Sequence, residues 1–266
     1  MNQTRTTIMK IGGSVITDKN IELTPQTQTI DRLAEETQRA GVENLVIVHG
    51  GGSFGHPAAQ RNAIKGGLKD VNQLMGFAET HHFMTVLNGL VMDSLIMHNI
   101  PAVTVMPSSC VVTEDGRIRS FEDTPLKMLL KLGFLPVLYG DAVPDAKLGF
   151  TVLSGDQLVS VLATKLNPQR IIMGVDVDGL FDADPKVAMT ARRFSRLSLD
   201  ELKQFQSNVG KSTACDVTGG MFGKILELLP ALEQGVSVMI LNATKPGHIY
   251  KALKGESVEG TLIEKE

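Results

Sequence analysis

LVIVHGGGSFGHP, residues 45–57, decides how this chain is read. An apolar run too short for a helix ends on three consecutive glycines, a fourth follows at Gly55, and His56 stands directly beyond it. Continuously apolar strands of this kind are buried on both faces, as in a parallel sheet. Glycine is entropically costly to order, so a cluster of it at a strand end marks a place where side chains would obstruct something. In an open α/β sheet that place is where ligands bind, and bare amides at a helix N-terminus make a nest for an anion.

The same pattern recurs along the chain. TIMKI (7–11), AVTVM (102–106), LPVLY (135–139), RIIMGV (170–175) and VSVMIL (236–241) read as further strands. Between them PQTQTIDRLAEETQRAG (25–41) reads as a helix stopped by Gly41, and TPLKMLLKLG (124–133) as one closed by Gly133. SSCVVTEDGRIRS (108–120) places an Asp-Gly turn between two β-prone arms and reads as a hairpin. The alternation predicts an α/β fold, a three-layer αβα sandwich with a mainly parallel central sheet. A single domain over 1–266 is expected, with a change of character at Pro168 separating a lobe 1–168 from a lobe 169–266.

Bulk composition narrows the function. With 266 residues and a net charge of -3, the chain lacks the basic excess of a nucleic-acid binder. Its two cysteines, Cys110 and Cys215, lie far apart with no metal-type spacing, so neither a disulfide framework nor a structural zinc site is expected. No signal core and no membrane-length apolar run are visible, which fits a cytoplasmic protein without a membrane partner.

Two common nucleotide motifs fail. Gly50, Gly52 and Gly55 satisfy GxGxxG, yet the acidic residue at the required distance, Asp70, sits in GGLKDVNQ, which is no strand. GGMFGKI places Gly219 one residue too near Lys224 for a Walker A loop and follows the lysine with Ile225. What remains is a set of glycine loops with separate lysines, a composition suited to phosphoryl transfer by positioning and charge stabilisation.

In order, KIGGSVITDK (10–19), VHGGGSFGHP (48–57), YGDAV (139–143), SGDQLV (154–159), DVDGLFDADP (176–185) and DVTGGMFGK (216–224) resemble the isopentenyl phosphate kinases of the amino acid kinase superfamily. The resemblance runs from about residue 8 to EGT (259–261). It implies transfer of the ATP γ-phosphate to isopentenyl phosphate, giving isopentenyl diphosphate and ADP, a step of isoprene biosynthesis. It also implies Mg²⁺ held mainly by the nucleotide phosphates rather than by side chains, and a homodimer. On the nucleotide side, in the 169–266 lobe and its neighbourhood, the resemblance assigns Lys10 and the amides of Gly12 and Gly13 to the β- and γ-phosphates. Ser14, Gly52, Asp176, Gly179 and Gly220 complete that side, and Lys224 approaches ATP from across the cleft. Lys19 stabilises the transferring group, Asp156 orients the lysines, and Gly51 and Gly155 hold the acceptor phosphate within the 1–168 lobe.

His56 has a physical argument of its own. A phosphomonoester offers three oxygens to an imidazole donor, and its second pKa of roughly 6 leaves the attacking oxygen ionised at neutral pH without a general base. An acceptor with a terpenoid tail needs an apolar pocket, for which GFAETHHFMTVLNGLVMDSLI (76–96) offers Phe77, Phe83, Val86 and Leu87, with Phe77 and Phe83 as lining candidates. His81 and His82 are expected at the surface, Asp178 as a turn former, and Asp141 stays open between a turn and support of the site. Related acceptors (a carboxylate, a nucleotide, or a phosphonate as in a fosfomycin kinase) and a non-catalytic nucleotide-binding protein remain alternatives at this level.

Overall fold

The computed structural model describes residues 6–183, 188, 190–209 and 221–266, with the main chain alone for 205–209 and 222. The first half runs β1 (Thr7–Ile11), α1 (Gly13–Ile16), α2 (Thr27–Ala40), β2 (Leu45–His49), α3 (Gly52–Arg61), α4 (Gln73–Met97), β3 (Ala102–Thr104), α5 (Pro107–Cys110), β4 (Val111–Glu114) and β5 (Arg117–Phe121). Then come α6 (Thr124–Lys131), β6 (Leu135–Tyr139), β7 (Asp141–Asp145), β8 (Gly149–Leu153), α7 (Gly155–Leu166) and β9 (Arg170–Val175). The remainder is β10 (Arg196–Ser198), α8 (Leu199–Val209), α9 (Met221–Leu226), α10 (Leu229–Glu233), β11 (Ser237–Asn242), α11 (His248–Lys254) and β12 (Gly260–Glu264).

Eight strands form one sheet in the order β10-β12-β11-β9-β1-β2-β6-β3, parallel except where β12 runs against β11. β1, β2, β6 and β9 are buried along nearly their whole length, which is why they read as unbroken apolar runs. One face packs Leu158, Leu162, Ile171 and Val238 under α6, α7 and α10; the other packs Ile30, Leu33, Leu87 and Ile249 under α2, α4 and α11. The expected three-layer sandwich is present. Sheet order reverses at β1, with β2, β6 and β3 on one side and β9 and β11 on the other, so the carboxyl ends of β1, β2, β6 and β9 open onto one crevice.

Local signals hold at helix ends and turns. Gly41 caps α2 in the left-handed region at φ 58°, and the main chain turns at Gly133 with φ 87° after α6. Asp115 and Gly116 both have positive φ, the tight turn that an Asp-Gly pair supplies between β4 and β5. That hairpin belongs to a second sheet of order β5-β4-β7-β8, which stands over the crevice. Pro168 falls between α7 and β9, and the large sheet draws strands from both sides of it. No helix among the described residues is long and apolar enough to cross a membrane.

Candidate active site

A cavity of about 410 Å³ lies over the carboxyl ends of β1, β2 and β6. Its polar end is made by the chain leaving each strand. Lys10 is the fourth residue of β1, only 3% exposed, and its Nζ lies 3.1 Å from Asp156 Oδ1, an ion pair off the hydrogen-bond line. Gly13 and Ser14 open α1 on the same wall, and Gly50, Gly51, Gly52 and Ser53 carry β2 into α3. Opposite them Ser154 caps α7, accepting the Gln157 amide at 3.2 Å, and Gly155 and Asp156 form its first turn. The N-termini of α3 and α7 both lie at this cavity and bring the positive ends of their dipoles to it, although the Ser53 amide is taken by Thr17 Oγ1 and the Gln157 amide by Ser154 Oγ.

Lys19, His56 and Lys224 line the same space. Lys19 is ion-paired with Asp176, whose other oxygen accepts from Ser14 Oγ at 3.0 Å. Burial pulls the Asp176 carboxyl upward, but Lys19 and Ser14 outweigh it and hold it below the usual carboxylate range. Lys224 titrates below an ordinary lysine because it is desolvated and faces Lys10 and Lys19, with Asp156 and Asp176 opposing. His56 is likewise lowered, by desolvation first and then by Lys224, Lys10 and Lys65. Four cationic or proton-accepting groups held this close make a site that gains by taking up an anion.

The rest of the lining is mostly apolar. Thr80 and Met84 from α4, Val152 and Leu153 from β8, and Pro57 from α3 line it. Asp141, at the start of β7, is 1% exposed and lies on this wall. It accepts from His81 Nδ1 at 3.0 and 3.1 Å and from its neighbour's amide, Ala142 N–H, at 2.8 Å. Burial raises its pKa, and His81 and Ser108 oppose that rise.

The structure thus brings together Lys10, Gly13, Ser14, Lys19, Gly51, Gly52, His56, Gly155, Asp156 and Lys224, with Asp176 joined through Ser14 and Lys19. Other expectations need correction. The Gly12 amide donates to Gly174 O at 2.8 Å, so it extends the β1–β9 ladder and is not free for a phosphate. Gly179 lies against Thr261 of β12, where a Cβ would come within 2.6 Å of the threonine hydroxyl, and does not line the cavity. Phe77 packs on Phe150 with ring centroids 5.3 Å apart, and Phe83 packs against the core beneath the sheet; neither reaches the cavity. Val86 is 42% exposed while Leu87 is fully buried, so these four do not form one lining face. His81 turns inward to Asp141 rather than to solvent. Asp178 accepts from Asn242 Nδ2 at 3.0 Å and pairs with Lys245 at 2.7 Å, tying the DVDG turn to the chain after β11. Gly219, Gly220 and Cys215 lie outside the described residues.

Ser53 was missed. Its side-chain oxygen is buried on the cavity wall with no partner among the described residues. The serine within HGGGSFGH is the available signal, set among glycines that carry the stronger one. Thr80, Met84 and Val152 carried no local signal, since apolar spacing alone does not separate a pocket lining from a core.

The model of the amino acid kinase family matches residues 5–242. The isopentenyl phosphate kinase of Methanothermobacter thermautotrophicus is 41% identical over 96% of this chain and 98% of its own length. A solved isopentenyl phosphate kinase superposes with a TM-score of 0.85 at 39% identity, covering 97% of this chain and 99% of that one. A second, described as a substrate complex, gives 0.81 at 29% identity over 98% of this chain and 100% of the other. This chain belongs to the amino acid kinase family, within its isopentenyl phosphate kinase branch.

Proposed function

We propose that this chain transfers the γ-phosphoryl group of ATP to isopentenyl phosphate, giving isopentenyl diphosphate and ADP. The observation that carries the reading is the mixed lining of one cavity: Lys10, Lys19, Lys224, His56 and the glycine loops after β1 and β2, together with Met84, Val152 and Leu153. Such a space suits a molecule with a phosphate head and a short apolar tail.

In this reading an oxygen of the acceptor phosphate attacks Pγ, the bond from Pγ to the bridging oxygen breaks, and ADP leaves with the electron pair. The acceptor, with a second pKa of roughly 6, is already ionised at neutral pH, so no proton needs removal. Lys10 and the Gly13 amide hold the donor phosphates, while Gly51, Gly155 and His56 hold the acceptor. Lys19 and Lys224 face the charge that spreads over the equatorial oxygens in transit, where preorganised cations contribute most. Asp156 pairs with Lys10, which supports its assignment as the orienting aspartate, and Asp176, on the nucleotide side, pairs with Lys19. Residues 1–168 form the acceptor-binding lobe and also supply Lys10 and Gly13 to the donor phosphates, and 169–266 form the nucleotide-binding lobe.

Mg²⁺ is part of the same proposal. The carboxylates nearest the cavity are engaged by lysines or His81, and no cluster of three or more His, Cys, Asp or Glu suited to a metal occurs among the described residues. That donor set fits an ion carried on nucleotide phosphate oxygens, where it would neutralise their charge. A homodimer completes the reading and is checked by light scattering.

The test is ADP release with isopentenyl phosphate, compared with glutamate, acetylglutamate, uridylate and fosfomycin as acceptors. Turnover with the five-carbon monophosphate at least about tenfold above the others supports the reading; preference for another acceptor replaces it, and no ADP release with any of them ends it.

A further inference from the structure

Thr17 closes α1 and is 1% exposed. Its hydroxyl donates to Gly13 O at 2.8 Å and accepts the Ser53 amide at 3.0 Å. One side chain therefore holds the glycine loop after β1 and the glycine loop after β2. The Ser53 carbonyl is committed to the same segment. Pro57, four residues on, has no N–H to give it, and Leu23 N–H fills the place at 3.2 Å. Both main-chain groups of Ser53 are thus held by residues 17–23, the segment that carries Lys19.

The loops touch with nothing between them. A Cβ on Gly13 would lie 2.1 Å from Gly52 N, one on Gly50 2.6 Å from Gly13 N, and one on Gly52 2.0 Å from Thr17 Oγ1. Gly13 faces the donor phosphates and Gly51 the acceptor in the reading above, on which this inference rests. We propose that Thr17 is a positioning residue for phosphoryl transfer, its hydroxyl setting the separation and alignment of the donor-side and acceptor-side loops. It touches neither substrate. It acts by holding two phosphates on backbones that cannot slide past each other, and misalignment of reacting atoms by about 1 Å costs up to about 10²-fold in rate.

Thr17→Val keeps the shape and removes both hydrogen bonds; Thr17→Ser keeps both bonds and removes a methyl group. With the full-length protein, Thr17→Val is expected to lower kcat by about 10- to 100-fold while each KM moves less than about threefold, and Thr17→Ser to restore kcat to within about threefold of wild type. Amide hydrogen exchange gives an arm independent of turnover: the Ser53 amide should exchange at least about tenfold faster in Thr17→Val, with core amides unchanged. Thr17→Cys, similar in size and a weak hydrogen-bonding group, takes the place of a valine variant that fails to fold. A folded variant without the hydroxyl that keeps kcat within about twofold, or that keeps Ser53 protected, overturns the proposal. So does a serine variant as slow as the valine one. If wild type gives no ADP with isopentenyl phosphate, the proposed function falls instead, and the exchange arm alone decides whether Thr17 clamps the loops.

Discussion

The polar and apolar parts of the cavity lining are built on different principles. At the phosphate end the walls are main chain: glycine loops after β1 and β2, the first turns of α3 and α7, and lysines fixed by aspartates. At the other end the walls are side chains, Thr80 and Met84 from a long helix and Val152 from a hairpin strand. Backbone donors and paired charges cannot readily rearrange, so the first end fixes chemistry. Side chains change size with one substitution, so in the proposed reading the apolar lining would set which tail is admitted.

Breaking the phosphate end should have the largest effect. Lys19→Met is expected to lower kcat by about 10²- to 10³-fold with smaller changes in either KM, because in the proposed mechanism its ammonium group faces charge developed in transit. A kcat close to wild type in steady-state assays would remove Lys19 from the mechanism.

Beneath that end lies His49, fully buried, stacked on Tyr139, with Nδ1 3.1 Å from Gly50 O and Nε2 3.3 Å from Asn88 Oδ1. Burial lowers its pKa to about 4, against the hydrogen bonds to Gly50 and Asn88. The unfolded chain, with a histidine pKa near 6.5, binds the extra proton first as pH falls. Stability is therefore complete above about pH 6.5 and declines toward pH 4, by on the order of 3 kcal/mol from this group. Thermal melts from pH 7.5 to 4 should show His49→Gln losing less over that window than wild type; parallel curves would deny His49 the role.

His56→Ala is expected to raise KM for isopentenyl phosphate by about tenfold or more and leave ATP binding within about twofold, by the loss of a charge-assisted hydrogen bond. Desolvation first, and then Lys224, lowers the His56 pKa in the free protein, and a bound dianion would oppose that shift. Calorimetry at pH 7 in buffers of different ionisation enthalpy should find more proton uptake on acceptor binding in wild type than in His56→Ala. Equal uptake would mean the ring does not meet the phosphate.

The tail end sharpens the comparison with the smallest changes. Val152→Ala should shift preference toward longer prenyl phosphates by about five- to tenfold, since a methylene's worth of space in an apolar pocket contributes about 1 kcal/mol or more. Phe83→Ala, off the cavity, should leave that preference unchanged even where it lowers the melting temperature. The opposite pattern would move the tail pocket to the far side of α4.

The same contrast explains what could be read in advance. Strands 7–11, 45–49, 135–139 and 170–175 were legible to the residue because each is buried on both faces and bounded by glycine or a polar turn. The phosphate end follows directly, since its groups sit within a few residues of those strand ends. The 141–145 and 149–153 hairpin was not seen: DAVPD carries an aspartate at each end, and those charges are satisfied only in three dimensions, Asp141 by His81 and Asp145 by four amides and Thr113. Phe77 and Phe83 were chosen as tail residues for size and spacing, and those properties say nothing about which face of α4 meets a cavity. Gly12 looked like an anion donor for the same reason as Gly13, and differs because the neighbouring strand claims its amide.

The contact of Gly13 with Gly52 has a consequence for descent. With bare main chain pressed against main chain, neither position has a permitted neighbour in sequence space, and a first step away from glycine at one cannot be rescued by a second at the other. In the proposed reading, lineages that inherit this junction can alter the length of the tail they accept while the place where phosphorus changes hands stays frozen.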